Sequence, residues 1–330
     1  MNAPPLLELR GISRSFIVAR TALGRPRNRI HAVQDVSLSI PAGTTFGLVG
    51  ESGSGKSTLG RLALRLVPVE RGEIIFEGRP VTGLRGKAWR DLRRRTSMVF
   101  QDPRSSLDPT WTVGRSIAEP VTSAAGHRRS GSATLVAEAL TEVGLSAGMA
   151  DRYPAAFSGG QRQRISIARA LITKPRLIVC DEPVSGLDVS SRAQIMTLLR
   201  DLQEAHGLTY LFISHDLSVI RALSQNVGVM YLGSLVEAGS THAVATRPAH
   251  PYTQAILNSV PDLNRAVTNG RSEHRGLSGD PPSPLHPPTG CAFHPRCPLA
   301  MPRCEQRKPT PVDLGGGHTV ACHLHGSEPA

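Results

Sequence analysis

The sequence predicts an α/β fold with a parallel core sheet, an antiparallel β-subdomain, a helical subdomain and a small cysteine-containing C-terminal extension. From about residue 44 to residue 240, strand-like and helix-like segments alternate, which is typical of a parallel sheet covered by helices. Two strand-like segments, "RLIVCD" and "TYLFISHD", are short and largely apolar, as in strands buried on both faces. The 330 residues are enough for two domains.

The segments outside this alternation predict the other parts of the fold. Residues 6–40 alternate apolar and polar side chains, which indicates the antiparallel strands. Residues 113–173 are predicted to be largely helical and to form an insert in the α/β region. After Gly239 follow a short helical piece, a proline-rich connector and a tail with four cysteines. We therefore expect a domain over residues 1–240 and an extension over residues 241–330.

The chain is basic, with a formal net charge of +12 and an isoelectric point of about 10.3. Such a balance favours an anionic partner, such as a nucleotide, a nucleic acid or a membrane surface. Seven basic residues and one acidic residue lie between Arg79 and Arg95, but no aromatic ladder interleaves them, so single-stranded nucleic acid is poorly supported. There is no run of eighteen apolar residues and no signal peptide, so we expect a cytoplasmic chain with reduced cysteines.

The stretch "GESGSGKS" has the spacing of a phosphate-binding loop between a strand and a helix. The preceding "TTFGLVG" can form the strand, and "KSTLGRLALRL" can form the helix. Glycines permit backbone conformations in which N–H groups point at anionic oxygens, and the helix N-terminus adds partial positive charge. Lys56 is expected to reach the β- and γ-phosphates of a nucleotide, and the Ser57 hydroxyl to bind Mg²⁺. The predicted nucleotide-binding residues of this loop are Gly50, Glu51, Ser52, Gly53, Ser54, Gly55, Lys56, Ser57 and Thr58.

Polar residues end three other predicted strands. Asp181 and Glu182 follow "LIVC", and an acid pair at a buried strand end is costly unless a cation or water uses it. We expect Asp181 to bind Mg²⁺ through water, and Glu182 to polarise the water that attacks the nucleotide. Gln101, after "TSMVF", is expected to contact Mg²⁺ or that water. His215, after "TYLFIS", is expected to contact the γ-phosphate rather than to be a structural histidine.

A second anion site is predicted where the stretch "FSGGQRQR" leads into a helix. Ser158, Gly159, Gly160 and Gln161 lie at this helix N-terminus, where small residues leave backbone N–H groups open to an anion. Because the phosphate loop already accounts for one nucleotide, we expect the second site to cover the nucleotide of a partner subunit. Asp188, in the stretch "SGLD" after the acid pair, is placed to connect the two sites across a dimer.

Together these stretches resemble the complete motif set of ABC transporter ATP-binding subunits, over roughly residues 6–240. The resemblance implies a P-loop ABC ATPase in which two subunits meet head to tail with two ATP molecules between them. It also implies that dimer closure on ATP, and opening after hydrolysis, drive a membrane permease. Phe16 lies where the family has an aromatic residue that stacks on adenine, with a core phenylalanine as the alternative. Every catalytic position is filled, so active hydrolysis is predicted.

Further stretches resemble the ATPases of oligopeptide/dipeptide permeases, and the likeness then covers nearly the whole chain. They are "VFQDPRSSLDP", "LIVCDEPVSGLDVS", "HPYTQAIL" and "GCAFHPRCPLA". The resemblance implies a second, related ATPase subunit, two transmembrane permease subunits, an extracellular solute-binding protein and a location on the cytoplasmic face of the cell (inner) membrane. It implies import of di- or oligopeptides, with nickel, glutathione or another small solute as alternatives.

A soluble ABC ATPase that acts on nucleic acid is a further alternative, which the basic charge would suit. Against it, an ordinary helical subdomain separates Ser57 from Asp181, where DNA-repair relatives have a long coiled coil. Translation-type relatives carry two cassettes in one chain, and this chain has one. A nucleotide-binding regulator without turnover is disfavoured by the presence of Glu182. We therefore expect an ATPase with no nucleic acid partner.

The C-terminal tail has four thiols in about thirty residues, which in a reduced compartment suggests a metal site. The spacings are C-x5-C, C-x6-C and C-x17-C, without the tight pairs typical of structural zinc. Resemblance to cysteine-bearing tails in the family also implies an iron–sulfur cluster, so we expect [4Fe–4S], with Zn²⁺ and unligated thiols as alternatives. The expected ligands are Cys291, Cys297, Cys304 and Cys322, any of which His294, His318 or His323 could replace. Cys180, inside "LIVCD", is predicted to be a core residue.

Overall fold

The computed structural model describes residues 4–20, 26–125, 132–259 and 279–326. The strands are β1 (Leu7–Arg20), β2 (Pro26–Ile40), β3 (Thr45–Val49), β4 (Arg71–Phe76), β5 (Arg79–Pro80), β6 (Thr96–Val99), β7 (Leu177–Asp181), β8 (Thr209–Ser214), β9 (Asn226–Tyr231), β10 (Ser234–Ser240), β11 (Val312–Asp313) and β12 (Thr319–Val320). The helices are α1 (Lys56–Ala63), α2 (Gly86–Arg95), α3 (Pro103–Ser106), α4 (Val113–Ala125), α5 (Ser132–Glu142), α6 (Gly159–Leu171), α7 (Val189–His206), α8 (Leu217–Leu223), α9 (Thr241–Thr246), α10 (Pro251–Ser259) and α11 (Pro302–Gln306). Short 3₁₀ turns occur at Ala147–Met149, Pro154–Ala156 and His294–Arg296.

The chain divides into two compact units, each assembled from several segments. The first unit comprises Met1–Glu8, Ser39–Thr45 and Ile75–Ile213. The second unit comprises Leu9–Leu38, Phe46–Ile74 and Ser214–Ala330.

In the first unit, three buried strands pair in parallel in the order β8-β7-β6. Val99 pairs with Cys180, and Asp181 pairs with Ile213, so the carboxyl ends of these strands lie at one edge. β7 and β8 are buried along their whole length and largely apolar, because both faces of a parallel sheet are covered. Cys180 is fully buried, as expected of a core residue. The edge thus carries Asp181, and Gln101 follows shortly after β6.

In the second unit, the strand order is β11-β12-β10-β9-β3, and the pairings are mixed. β3 and β9 are parallel, whereas β9 and β10 form an antiparallel hairpin. Leu232 and Gly233 form its two-residue turn, both at positive φ (42° and 82°), as tight hairpin turns require. A connection this short can join only antiparallel strands. The parallel pairing predicted for the core is present, and this hairpin adds an antiparallel pair, so the core sheet is mixed.

A second sheet, with strand order β2-β1-β4-β5, forms the antiparallel β-subdomain predicted from the sequence. Alternate residues of β2 are buried, namely Val36, Leu38 and Ile40. β4 and β5 pair antiparallel, with Ile75 opposite Pro80. This period of two is what a sheet with one covered face requires, and it is the pattern that the sequence shows.

The helices α4, α5 and α6 pack against one another within the first unit. Each contributes a fully buried aliphatic side chain, Ile117, Leu140 and Ile165 respectively. These helices lie in the segment 113–173, whose bounds as a subdomain stay a prediction. Among the helices in the described part of the chain, none combines the length and the hydropathy that a membrane span needs.

A buried carboxylate, Glu237 in β10, holds the C-terminal segment within the second unit. Its Oε1 accepts a hydrogen bond from the Ala249 N–H, and its Oε2 accepts one from the His250 N–H, both at 2.8 Å. Nε2 of His318, the residue before β12, lies 2.8 Å from Oε1. Only 1% of Glu237 is exposed, so these partners replace the water that the carboxylate has lost.

Replacing Glu237 tests this anchor. We expect Glu237→Ala to lower the free energy of unfolding by about 3 kcal/mol, because two buried N–H groups and His318 lose their acceptor. Urea denaturation of the purified chain would measure the loss. Glu204→Ala, on the exposed side of α7, is the matched control and should change stability by less than about 0.5 kcal/mol. Equal effects of the two variants would contradict the prediction.

Candidate functional site

The phosphate loop leaves the fully buried strand β3 and enters α1 at Lys56. Gly55 has φ +101°, in the left-handed region that favours glycine, and a Cβ there would lie 2.1 Å from the Ala32 carbonyl oxygen. A Cβ at Gly50 would lie 2.2 Å from the Met230 carbonyl oxygen. The two glycines are thus required by the close approach of neighbouring backbone.

Lys56 is buried, and its ammonium group lies inside this loop. Nζ donates to the carbonyl oxygens of Gly50 (2.7 Å) and Glu51 (2.8 Å) and to Oγ of Ser54 (3.2 Å). No side chain caps the start of α1, because its N-cap residue is Gly55. A buried cation and a helix start without a side-chain cap are what a phosphate group needs as its partners.

The second loop residue, Glu51, turns its carboxylate toward the C-terminal segment. Arg296 donates two hydrogen bonds to it, Nη1 to Oε2 at 2.9 Å and Nη2 to Oε1 at 3.0 Å. The Glu51 N–H donates to the hydroxyl of Tyr252 at 2.9 Å. Nη1 of Arg296 also donates to the hydroxyl of Tyr231, at 3.3 Å. The hydrogen bonds to Glu51 are the main cause that raises the pKa of Arg296 above its ordinary value.

The first unit carries the predicted acid pair. Asp181 is buried at the end of β7, and Glu182 follows with φ 47°. The Glu182 N–H donates to the Ile213 carbonyl oxygen at 3.0 Å, and its Oε2 accepts from Nε2 of Gln101 at 3.1 Å. A left-handed conformation in a residue other than glycine stores strain, which is common at functional positions. The structure therefore brings Gln101 and Glu182 together.

The residues predicted to form the second anion site, and Asp188 after them, cap two helices. Ser158 and Gln161 form a reciprocal capping box at α6, since Oγ accepts from the Gln161 N–H (3.2 Å) and Oε1 accepts from the Ser158 N–H (3.0 Å). Asp188 caps α7 by accepting from the Ser191 N–H at 2.9 Å and from its hydroxyl at 2.7 Å. These hydrogen bonds lower the pKa of Asp188. Gly160 lies close to Ser191, because a Cβ on it would be 3.2 Å from Oγ.

His215 and Phe16 belong to the second unit. His215 is exposed and directly follows Ser214, the last residue of β8. Phe16 is 37% exposed, and the guanidinium carbon of Arg14 lies 5.0 Å from its ring centroid. Phe16 is thus not a core residue, which removes the alternative reading of it, while its contact with adenine stays a prediction.

The four tail cysteines lie in one region of the second unit. The Cys291 N–H donates to the Cys304 carbonyl oxygen at 2.7 Å. The pKa of the Cys291 thiol is raised to about 11, mainly by burial, and the charges of the other three thiols contribute to this rise. Burial is also the main cause of the raised pKa values of Cys297 and Cys322. Among the described residues, however, no three His, Cys, Asp or Glu side chains are arranged to hold a metal ion.

The histidines near these thiols each use a ring nitrogen elsewhere. Nδ1 of His294 lies 2.9 Å from the Cys291 carbonyl oxygen, and Nε2 of His323 lies 2.8 Å from the Arg307 carbonyl oxygen. His318 is paired with Glu237. Each of these three histidines therefore has a partner other than a thiol for one of its ring nitrogens.

Sequence reasoning did not find the roles of Arg296, Tyr252, Tyr231 and Glu237. Two of these residues lie in stretches that the sequence analysis quoted: "HPYTQAIL" contains Tyr252, and "GCAFHPRCPLA" contains Arg296. These stretches indicated a family, but nothing in their local pattern indicates a contact with the phosphate loop.

Three features together define an ABC ATPase. They are a phosphate loop after a buried strand, an acid pair after a second buried strand, and a helix that starts with serine and glycine. Two family models match the chain: "ABC transporter" over residues 33–185, and "Oligopeptide/dipeptide transporter, C-terminal region" over residues 236–304. The chain belongs to the oligopeptide/dipeptide transporter family of ABC transporter ATP-binding proteins, as the motifs predicted.

Relatives of known sequence and structure agree with this. The chain is 46% identical to the oligopeptide transport ATP-binding protein AppF of Bacillus subtilis, over 98% of each chain. It is 50% identical to the probable peptide ABC transporter ATP-binding protein y4tS of Sinorhizobium fredii, over 89% of this chain and 83% of that protein. The fold resembles the dimeric, ADP- and Pi-bound post-hydrolysis structure of the ATP-binding cassette MJ0796, with a TM-score of 0.62, 27% identity, and coverage of 71% and 98%.

Substituting Gly55 tests the fit of the loop. We expect Gly55→Ala to weaken ATP binding by more than about tenfold, because a Cβ would collide with the Ala32 carbonyl oxygen and strain the backbone. Titration with a fluorescent ATP analogue would measure this. Gly43→Ala is the control: its φ is +72°, but a Cβ there meets nothing within 4 Å, so ATP affinity should not change. Wild-type affinity in Gly55→Ala would contradict the prediction.

Proposed function

We propose that this chain is the ATP-hydrolysing subunit of a membrane ABC importer that takes up di- or oligopeptides. The observation that carries this proposal is a phosphate loop with Lys56 inside it in a chain whose residues 236–304 match the oligopeptide/dipeptide transporter model. The names of the relatives AppF and y4tS, which refer to oligopeptide and peptide transport, support the same cargo class.

In this proposal, the loop residues from Gly50 to Thr58 bind the phosphates of ATP, and Phe16 stacks on its adenine. The Ser57 hydroxyl, the Gln101 amide and the Asp181 carboxylate are oxygen donors of the type that Mg²⁺ prefers. Bound there, Mg²⁺ would neutralise charge on the β- and γ-phosphate oxygens.

We assign hydrolysis to two residues, Glu182 and His215. Glu182 orients and polarises the attacking water, and its hydrogen bond from Gln101 holds its carboxylate in place. His215 contacts the γ-phosphate, where its imidazole can donate a hydrogen bond to the developing charge. Once the bond is broken, ADP and phosphate leave and the site can bind ATP again.

We further propose that the chain works as one half of a dimer. Ser158, Gly159, Gly160 and Gln161 would cover the ATP bound by a second ABC ATPase subunit, a related chain, and Asp188 would link the two sites. The resemblance to a dimeric structure of MJ0796 supports this arrangement. The dimer would sit peripherally on the cytoplasmic face of the cell (inner) membrane, under two permease subunits that receive solute from an extracellular binding protein.

The domain limits follow the same proposal. Residues 1–240 form the nucleotide-binding domain, with a helical subdomain at about 113–173, and residues 241–330 form the transporter-type extension. The family matches support this division, since the first ends at residue 185 and the second begins at residue 236.

We also propose that the four tail thiols bind a [4Fe–4S] cluster. Such a cluster binds one thiolate at each of four irons, so its sulfurs need not converge on one atom, as the ligands of Zn²⁺ must. What supports the proposal is that the four thiols lie in one region, since the charges of the other three act on Cys291. Each thiol would bind iron as a thiolate and release its proton to water, which for Cys291 has to occur against a raised pKa.

Metal analysis tests the cluster. Anaerobically purified chain should contain about four iron and four sulfide per chain and little zinc, by elemental and colorimetric analysis. Cys304→Ser should lose most of the iron because it removes one ligand. Cys180→Ala, whose thiol lies in the core of the first unit, should keep it. If the chain contains zinc but no iron, the proposed cluster is wrong and the thiols bind Zn²⁺ instead. If it contains neither metal, the proposal of a metal site is rejected.

Substituting Glu182 tests the hydrolytic role. We expect Glu182→Gln to lower steady-state ATP hydrolysis by at least about 100-fold, because an amide cannot accept the proton of water. The Kd for ATP should stay within about twofold, since the amide keeps the size of the side chain. Glu204→Gln on α7 is the control and should hydrolyse ATP at the wild-type rate. Unchanged turnover in Glu182→Gln would refute the assignment.

Transport assays test the cargo. The chain, co-purified with its membrane partners and reconstituted in vesicles, should take up labelled di- and oligopeptides only when ATP is supplied to the side that holds the chain. Glu182→Gln should abolish that uptake. If ATP drives the uptake of nickel or glutathione but not of peptides, the chain still belongs to an importer, and the proposal that peptides are its cargo is excluded.

A further inference from the structure

The ion pair between Arg296 and Glu51 connects the cysteine-bearing segment to the phosphate loop. Arg296 closes a 3₁₀ turn, His294–Arg296, and directly precedes Cys297. The two terminal nitrogen atoms of Arg296, Nη1 and Nη2, lie 2.9 and 3.0 Å from the two carboxylate oxygens of Glu51. This is the bidentate geometry of strong charge-assisted hydrogen bonds. The Arg296 side chain is 5% exposed, so water does little to screen this pair.

Every polar group of Glu51 has a partner. Its carbonyl oxygen accepts from Nζ of Lys56 (2.8 Å) and from the Ser54 N–H (3.2 Å), and its own N–H donates to the hydroxyl of Tyr252 (2.9 Å). A lysine that turns to bind phosphate would give up its contact with this carbonyl. Arg296 and Tyr252 would then be the side chains that keep Glu51 in place.

The side chains that contact Glu51 are supported by buried aromatic packing. Tyr231, Tyr252 and Phe293 form a buried aromatic cluster with ring centroids 4.6 to 5.4 Å apart. Phe293 lies three residues before Arg296, so the 3₁₀ turn is packed against the two tyrosines. A side chain mounted on such a support can fix a loop with little loss of entropy on ligand binding.

Charge adds a second reason for the contact. The Glu51 carboxylate belongs to a loop that must receive a triphosphate, and a carboxylate without a cation beside it would repel that ligand. Arg296 neutralises this carboxylate from the side of the C-terminal segment. Loss of Arg296 would therefore both loosen the loop and leave a negative charge close to the phosphates.

We propose that Arg296 is a positioning residue for ATP binding, which acts through Glu51 and makes the cysteine-bearing segment part of the nucleotide site. This inference rests on the proposed ATP hydrolysis. Arg296 acts on the ground-state affinity for ATP rather than on the attacking water, because its partner is a binding-loop residue. The ordered tail is then a condition for tight nucleotide binding.

The test compares variants of the full-length chain co-purified with its membrane partners. In a Glu182→Gln background, Arg296→Gln should raise the Kd for a fluorescent ATP analogue about tenfold. Arg296→Lys, which keeps the charge but not the paired geometry, should recover part of the affinity. The double variant Glu51→Gln with Arg296→Gln should bind ATP more tightly than Arg296→Gln alone, because the uncompensated carboxylate is gone. Lys308→Gln, an exposed basic residue of the same extension, is the control and should have wild-type affinity.

Steady-state kinetics with Glu182 intact separates positioning from a purely structural role. Arg296→Gln should raise the KM for ATP about tenfold, with kcat within about twofold. The proposal is overturned if Kd and KM stay at the wild-type values, or if kcat falls with KM unchanged, which indicates partial unfolding. It is also overturned if the double variant binds no better than Arg296→Gln. Absence of hydrolysis in the wild type would reject the proposed function, while the Kd measurements would still decide the role of Arg296.

Discussion

The site depends on the close approach of the phosphate loop to the backbone around it. The Gly233 N–H, in the β9–β10 turn, donates to the Ser54 carbonyl oxygen at 2.9 Å, and the Gly233 carbonyl oxygen accepts from the Gln34 N–H in β2 at 2.7 Å. Gly55 lies so near the Ala32 carbonyl oxygen that a Cβ cannot be added. The loop, the hairpin turn and β2 are therefore joined by main-chain atoms, whose geometry varies little with side-chain motion.

Buried charges join the C-terminal extension to this framework. Glu237 ties the start of α10 and His318 to β10, and Arg296 ties the cysteine-bearing segment to Glu51. A buried charge is tolerated only when its hydrogen-bonding capacity is satisfied, so each pair constrains the segments that supply its partners. These charges consequently attach the extension both to the sheet and to the phosphate loop. With the role proposed for Arg296, the stability of the extension and the affinity for nucleotide would be linked.

Several residues that the motifs assign to function also stabilise their own local structure. Ser158 and Gln161 cap α6 reciprocally, and Asp188 caps α7. Lys56 satisfies carbonyl oxygens of the loop that it would leave for a phosphate. The hydrogen bonds of Lys56 hold the phosphate loop in shape, and in the proposed function they would be exchanged for bonds to phosphate. Preorganisation of this kind lowers the entropic cost of binding.

The sequence by itself determined the elements whose causes are local. Glycine spacing predicted the phosphate loop, period-two alternation predicted the antiparallel strands, and apolar runs that end in acid predicted the buried strands. Tertiary structure decided what lies far apart along the chain. The return of β10 beside β9 made the core sheet mixed, and the contact of Arg296 with Glu51 spans 245 residues. The physical reason is that caps, turns and periodicity act over a few residues, whereas a contact between distant segments depends on how every strand between them pairs.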